Sequence, residues 1–344
     1  MNKRRILAIV IIVFSVLLTS FGFYFWQIWR SPNVLVEKED KVFLVRHNDT
    51  YNSVLERLNK GGYIEKLVPF AFVAKLMKYP ENVKPGYYVL KANMTSVEAV
   101  RLLRSGRQEP LNLTFTNSRT LGELSKKVGN RLMFSEKEID SLLHSPQVAR
   151  EYGFDTTTFI GMFLPNTYEF YWTTSAREFL DRMKKEYDKY WTEERLARAK
   201  EMGLTRHEVS TLASIVNAET NKADEMPRVA GVYLNRLNKN IPLQADPTLK
   251  FALGDFTIKR ILNKDKEIDS PYNTYKYAGL PPGPINMPPL SALNGVLNAE
   301  DHKYLYFCAK PDFSGYHNFA ITYNEHLKNA RKYQRALSQE GIYR

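Results

Sequence analysis

"TRHEVSTLASIVNAET", Thr205 to Thr220, is the stretch on which the reading of this chain turns. Thr205 and Glu208 have the spacing of a capping box, so a helix begins here. Advancing about 100° per residue gathers Val209, Leu212, Ile215 and Val216 on one side. Glu219 falls in the middle of that apolar stripe, whereas Asn217 and Thr220 lie away from it. A carboxylate set among apolar side chains is desolvated at a cost, and its proton affinity rises. An acid that keeps its proton near neutral pH can give it to a leaving group. The alternative is a glutamate at the point where the stripe runs out, its side chain reaching water or a basic partner. Spacing alone leaves both open.

Beyond this helix, "MPRVAGVYLNRLNK" predicts a second one. From Ile241 to about Pro289 the chain is dense in Pro, Gly, Asn and Tyr, in "IPLQADPT" and then "SPYNTYKYAGLPPGPINMPP". Loops of this length with their own stiffeners tend to be functional. "YLYFCA" and "YHNFAITY" read as strands, and a basic helix follows. Upstream, "VFLVRHNDTYNSVLERL", "YYVLKANMTSVEAVRLL" and "LNLTFTNSRTLGELSKKV" each read as a strand, a polar turn and a helix. Thr95 with Glu98, Thr120 with Glu123, Ser135 with Glu138 and Ser175 with Glu178 repeat the capping-box spacing. Strands mixed irregularly with helices predict an α+β fold.

The N-terminus sets the compartment. Ile6 to Trp26 carries no charge and reaches roughly 30 Å as a helix, the thickness of a bilayer core. Lys3, Arg4 and Arg5 precede it, and Phe23, Tyr24, Phe25, Trp26 and Trp29 form an aromatic belt at its far end. The run is long for a cleaved signal peptide, and no small-x-small cleavage site follows. The expected organisation is a cytoplasmic N-terminus (1–5), a single-pass anchor in the cytoplasmic membrane (6–29) and a polar linker (30–41). A small module (42–110), a mostly helical intermediate region (111–204) and a C-terminal catalytic region (205–344) follow, all outside the cytoplasm.

The 344 residues are 44% apolar and 25% charged, the balance of a folded protein. The net charge of +12 is spread along the chain, which suits a solvated surface or attraction to an anionic polymer or membrane face, not nucleic acid. The lone cysteine, Cys308, excludes an internal disulfide and reads as a core thiol. No GxSxG elbow, P-loop or HExxH motif occurs. The six histidines are scattered, and His302, His317 and His326 match no metal spacing. In "GMFLPNTYEFYW", Tyr168 and Tyr171 are either core or platforms for sugar stacking.

The short strand–helix units resemble a LysM-like module, a fold associated with glycan chains; a plain spacer is the alternative. More specifically, "LASIVNAET", "RVAGVYLNRL", "IPLQADPT", "DSPYNTYKYAGLPPGPINMP" and "YLYFCA", in this order, resemble the successive signatures of the YceG-like endolytic murein transglycosylase family. "FLPNTYEFYW" and the apolar N-terminus fit as well. The resemblance implies lytic cleavage of the β-1,4 bond between N-acetylmuramic acid and N-acetylglucosamine within nascent strands. Glu219, in the "ET" pair, is implied as the catalytic acid, and no metal or organic cofactor is needed. Members often carry another acid two positions earlier, where this chain has Asn217. Asn235, Gln244, Asp246, Tyr272, Asn273, Thr274 and Tyr275 are the candidates for holding the sugar, with turn stabilisation as the alternative for each. Peptidoglycan synthases are the implied partners. Two rivals stand beside this reading: a hydrolase pairing Glu219 with Asp246, or with Asp224 or Glu225, and a non-catalytic anchored scaffold that binds glycan.

Overall fold

The computed structural model of the chain describes residues 3–258 and 261–341 and has the predicted mixed α+β character. Met1 and Asn2 of the expected cytoplasmic N-terminus lie outside the described residues, as do Lys259, Arg260 and 342–344 of the expected catalytic region. The chain divides into two compact units. One holds the residues up to Asn112 and Glu169–Thr174, the other Leu113–Tyr168 and Ser175–Arg344.

The first unit begins with α1 (Lys3–Arg30), which is long and apolar enough to cross a membrane. Its last turns do not hang free. Phe25 meets the edge of Phe72, and Ile28 and Trp29 pack against the core of the unit. There follow β1 (Pro32–Val34), β2 (Lys41–Val45), α2 (Tyr51–Lys60), α3 (Leu67–Leu76), β3 (Gly86–Leu90), β4 (Met94–Thr95) and α4 (Ser96–Ser105). β2 and β3 pair antiparallel, from Lys41 opposite Leu90 to Val45 opposite Gly86, and β1 pairs with β4. Alternation along the strands turns Phe43, Val45, Tyr88 and Leu90 inward.

Residues 30–41, expected as a polar linker, instead contribute to this core. Val34 and Leu35 are buried, and the buried Asn33 amide donates to Lys66 O and Ser96 Oγ. A short polar-looking run hid two apolar residues whose burial needs a neighbouring strand and helix.

β5 (Leu111–Phe115) pairs with β6 (Asn166–Phe170), and the division between the units falls within both strands. The second unit continues through α5 (Leu121–Val128), α6 (Glu136–Leu143), α7 (Pro146–Glu151), α8 (Ala176–Tyr190) and α9 (Glu193–Glu201). Phe115, Phe134, Phe159, Phe163 and Phe179 form its aromatic centre, with ring centroids 5.6–6.4 Å apart. Tyr168 belongs to this core, its hydroxyl donating to Leu164 O at 2.7 Å, so it offers no ring to solvent. Tyr171, in the first unit, is exposed. The expected intermediate region, 111–204, is therefore not a body of its own. From Leu113 on, apart from Glu169–Thr174, it folds with the C-terminal region.

The remaining elements are α10 (Arg206–Glu219), α11 (Met226–Asn238), α12 (Asp246–Leu253), α13 (Leu290–Leu297), β7 (Tyr306–Ala309), β8 (His317–Ala320) and α14 (Tyr323–Gln339). α10 packs against α11, α12 and α13, and β7 pairs antiparallel with β8. Thr205 caps α10 as the spacing predicts, exchanging bonds with Glu208. Every residue from Val209 to Val216 is buried, so α10 is a central helix and not a one-sided one. Its hydroxyls survive there by turning back on the helix: Ser210 donates to Arg206 O, Thr211 to His207 O and Ser214 to Thr211 O. α12 and α13 were not legible as helices. α12 starts with Pro247 in its first turn and ends on Gly254 at φ +68, inside a stretch whose prolines and glycines read as loop. Cys308 is half-buried on β7.

Candidate active site

α10 ends on Glu219, because Thr220 turns to extended backbone (φ −141°, ψ 140°). The chain leaves the helix there, and the last side chain points into a cleft of about 380 Å3. Val232, Tyr233 and Arg236 of α11 line it, and its walls include Gln244, Asp246 and Tyr275 together with Leu305–Phe307. Tyr233 is buried beneath Glu219 and donates its hydroxyl hydrogen to Glu219 Oε1 at 2.8 Å. Phe307 meets the Tyr233 ring edge-on at 5.8 Å and fixes it.

This setting decides the charge of Glu219. Enclosure by protein pushes its carboxyl up to about 7, the Tyr233 hydrogen bond opposes that rise, the Asp246 charge adds to it, and Lys250 opposes it weakly. The C-terminal end of a helix also disfavours a negative charge. Burial and the Glu219 carboxylate in turn hold the Tyr233 hydroxyl well above its ordinary value. Glu219 can thus be protonated when a substrate arrives and ionised afterwards, both near neutral pH.

Three of the seven residues expected to hold a sugar share the cleft with Glu219: Gln244, Asp246 and Tyr275. Tyr275 donates to Asp246 Oδ1 at 2.6 Å. Gln244 has a left-handed backbone (φ +54), held by its N–H to Thr274 O and by Arg236 Nη2 donating to its side-chain oxygen. The other four turn elsewhere. The Asn235 amide donates to His302 O and Tyr304 O, and Tyr272 packs on Phe251. The buried Asn273 ties Lys266 O, Ile268 O and Tyr275 N together. The buried Thr274 hydroxyl receives Ala245 N and meets Thr248 Oγ1. Their polar atoms shape the loops that carry the cleft.

Two further groups matter that spacing did not single out. Arg236 donates to Pro242 O, Leu305 O and Gln244 Oε1, joining both walls to α11; burial pushes its guanidinium below the ordinary value. Tyr233 and Arg236 are three residues apart, so both project from one face of α11, and that offset was the available signal. Glu225 is almost wholly buried. It accepts from Thr220 Oγ1, from His317 N and from the His317 ring, with the ring nitrogen 2.7 Å away. It ties the end of α10 to β8 and does not face the cleft. Asp224 accepts from the Tyr316 hydroxyl. Of the three carboxyls weighed as a second acid, only Asp246 lines the cleft. Among the described residues no group of three or more His, Cys, Asp and Glu is placed to hold a metal.

Comparison with known proteins gives a consistent picture. The model of the YceG-like family matches residues 43–332. The endolytic murein transglycosylase of Bacillus subtilis is 29% identical over 317 residues, spanning 87% of each chain. That of Streptococcus pneumoniae strain D39 is 27% identical over 336 residues; the match spans 87% of this chain and 60% of the longer pneumococcal protein. A yceG-like protein of Listeria monocytogenes, known from its crystal structure, superposes with a TM-score of 0.56 at 27% identity, covering 84% of this chain and 98% of that one.

Proposed function

The chain belongs to the YceG-like family, and on that premise we propose that it is an endolytic murein transglycosylase whose catalytic acid is Glu219. The observation that carries the assignment of the acid is the Glu219 carboxyl, half-buried in the cleft against Tyr233 and pushed up to about 7. Protonated Glu219 donates to the glycosidic oxygen as the bond from that oxygen to C1 of N-acetylmuramic acid breaks. The resulting carboxylate takes the proton from the C6 hydroxyl of the same sugar, and O6 closes on C1. The products are a free 4-hydroxyl and a 1,6-anhydro end, and Glu219 is protonated again. Water does not enter, so one carboxyl serves both halves. Gln244, Asp246 and Tyr275 position the sugar at the rim. Asn235, Tyr272, Asn273 and Thr274 serve the site by holding its loops.

The setting of the enzyme follows from the first unit. α1 is an uncleaved anchor in the cytoplasmic membrane, with Arg4 and Arg5 on the cytoplasmic side and the catalytic region outside. The succession β2–α2–α3–β3, closed by one antiparallel pair, supports a LysM-like, glycan-binding role for the module. Cutting new strands beside the membrane brings the enzyme to the synthases that make them, and crosslinking in cells should recover a synthase with it.

The test is mass analysis of products from purified glycan strands. Wild type should release 1,6-anhydro ends, and Glu219→Gln should lower that release by about 10²–10⁴-fold, the range for removing a general acid. Reducing ends alone would replace the lytic step by hydrolysis. Equal release by both proteins would remove Glu219 from the chemistry.

A further inference from the structure

A second hollow, of about 450 Å3, adjoins the cleft. The two hollows divide consecutive residues between them. Glu219 and Asp246 face the cleft, while Ala218 and Pro247 face the second hollow. The two hollows are therefore neighbours at the end of α10 and the start of α12.

The lining has a definite chemistry. Three amides converge: the buried Asn286 donates to Ser214 O, and its side-chain oxygen faces the amide nitrogens of Asn117 and Asn217 at 3.3 and 3.4 Å. The Asn117 oxygen has no partner among the described residues. Two cations join them. Arg119 is exposed and lies 4.9 Å over the Phe256 ring, and Lys250 projects from α12. Neither makes an ion pair among the described residues. The single acid of the lining, Glu123, is occupied by Arg119 N.

Amide groups with two unpaired cations suit a ligand that is itself amide-rich and anionic. A neutral sugar has no use for the cations. N-acetylmuramic acid carries such a ligand on its lactyl ether: a short peptide with free carboxylates. We infer that the hollow bounded by Asn117, Arg119, Asn217, Lys250 and Asn286 is a subsite for the anionic peptide arm of the strand, so that the enzyme reads peptide as well as glycan. The inference rests on the proposed function, because it takes its substrate from it.

Binding tests it without turnover. The full-length Glu219→Gln protein in detergent is titrated with glycan strands in three forms: peptides intact, peptides removed by an amidase, and peptide carboxylates converted to amides. Intact strands should bind about tenfold more tightly than either of the others, the worth of a charge-assisted bond. Arg119→Glu in the same background should erase the difference, and Arg119→Lys should restore most of it. Equal affinity for bare and peptide-bearing strands, or a preference that survives Arg119→Glu, overturns the subsite. Failure of wild type to release anhydro ends would instead sink the proposed reaction, while the binding preference would still be read.

Discussion

Glu219 shows what one misplaced polarity in a sequence can mean. Burial holds its carboxyl near 7, far above that of a hydrated glutamate, and this has a cost in stability. Between about 4.5 and 7 the unfolded chain ionises at this position while the folded one keeps its proton, so stability falls as pH rises through that window. Glu219→Gln should therefore leave stability unchanged at pH 4 and raise it by about 2 kcal/mol at pH 8, allowing for water in the cleft. Urea melts at the two pH values check this, and a variant no more stable than wild type at pH 8 would show Glu219 to be hydrated. Tyr233→Phe removes the one hydrogen bond that lowers the Glu219 value, leaving the ring against Phe307. The alkaline limb of kcat/KM should then move to higher pH by up to about one unit. An unmoved limb would mean that another group titrates. In the sequence, spacing marked Glu219 as an anomaly but left its role open, and the resemblance of "LASIVNAET" to the family signature is what singled it out. Tyr233 was hidden because a buried tyrosine at helical spacing looks like any core residue until its hydroxyl has a partner.

Among the elements, helices announced by capping boxes were legible, and their ends show why. Thr95 with Glu98, Ser175 with Glu178 and Thr205 with Glu208 exchange bonds in both directions. Thr120 and Ser135 only accept, and Glu123 bonds Arg119 N instead. α12 and α13 lack a side-chain cap, so only tertiary packing reveals them. α11 carries a constraint of its own. A Cβ on Gly231 would lie 2.5 Å from Glu300 O and 2.7 Å from His302 Nε2. The segment it would displace leads into Leu305–Phe307, one wall of the cleft. Gly231→Ala should cost about 1–3 kcal/mol, seen as a lower denaturation midpoint, and should raise KM as the wall shifts. A midpoint within error of wild type would mean that the segment yields freely.

For the whole molecule, the α+β class and the apolar N-terminal helix were legible, but the division into units was not. Val34 and Leu35 join a core whose other members lie up to about seventy residues away in sequence, and no local pattern reports that. The anchoring role of α1 is open to a direct experiment. Deleting residues 1–24 keeps Phe25, Ile28 and Trp29 and so spares the core. The truncated protein should leave the membrane fraction and still release anhydro ends from isolated strands. N-terminal sequencing of the intact protein from membranes should begin within the first few residues; a mature end beyond Trp26 would make the helix a cleaved signal.

The junction at the end of α1 has one more implication. Ile28 and Trp29 are at once the last turn of that helix and part of the packing of the first unit, so there is no slack leash between α1 and the module. On the proposed anchoring, a thicker or thinner bilayer that re-tilts α1 turns the module with it. Membrane composition would then be a mechanical input, setting the angle at which the module meets the wall.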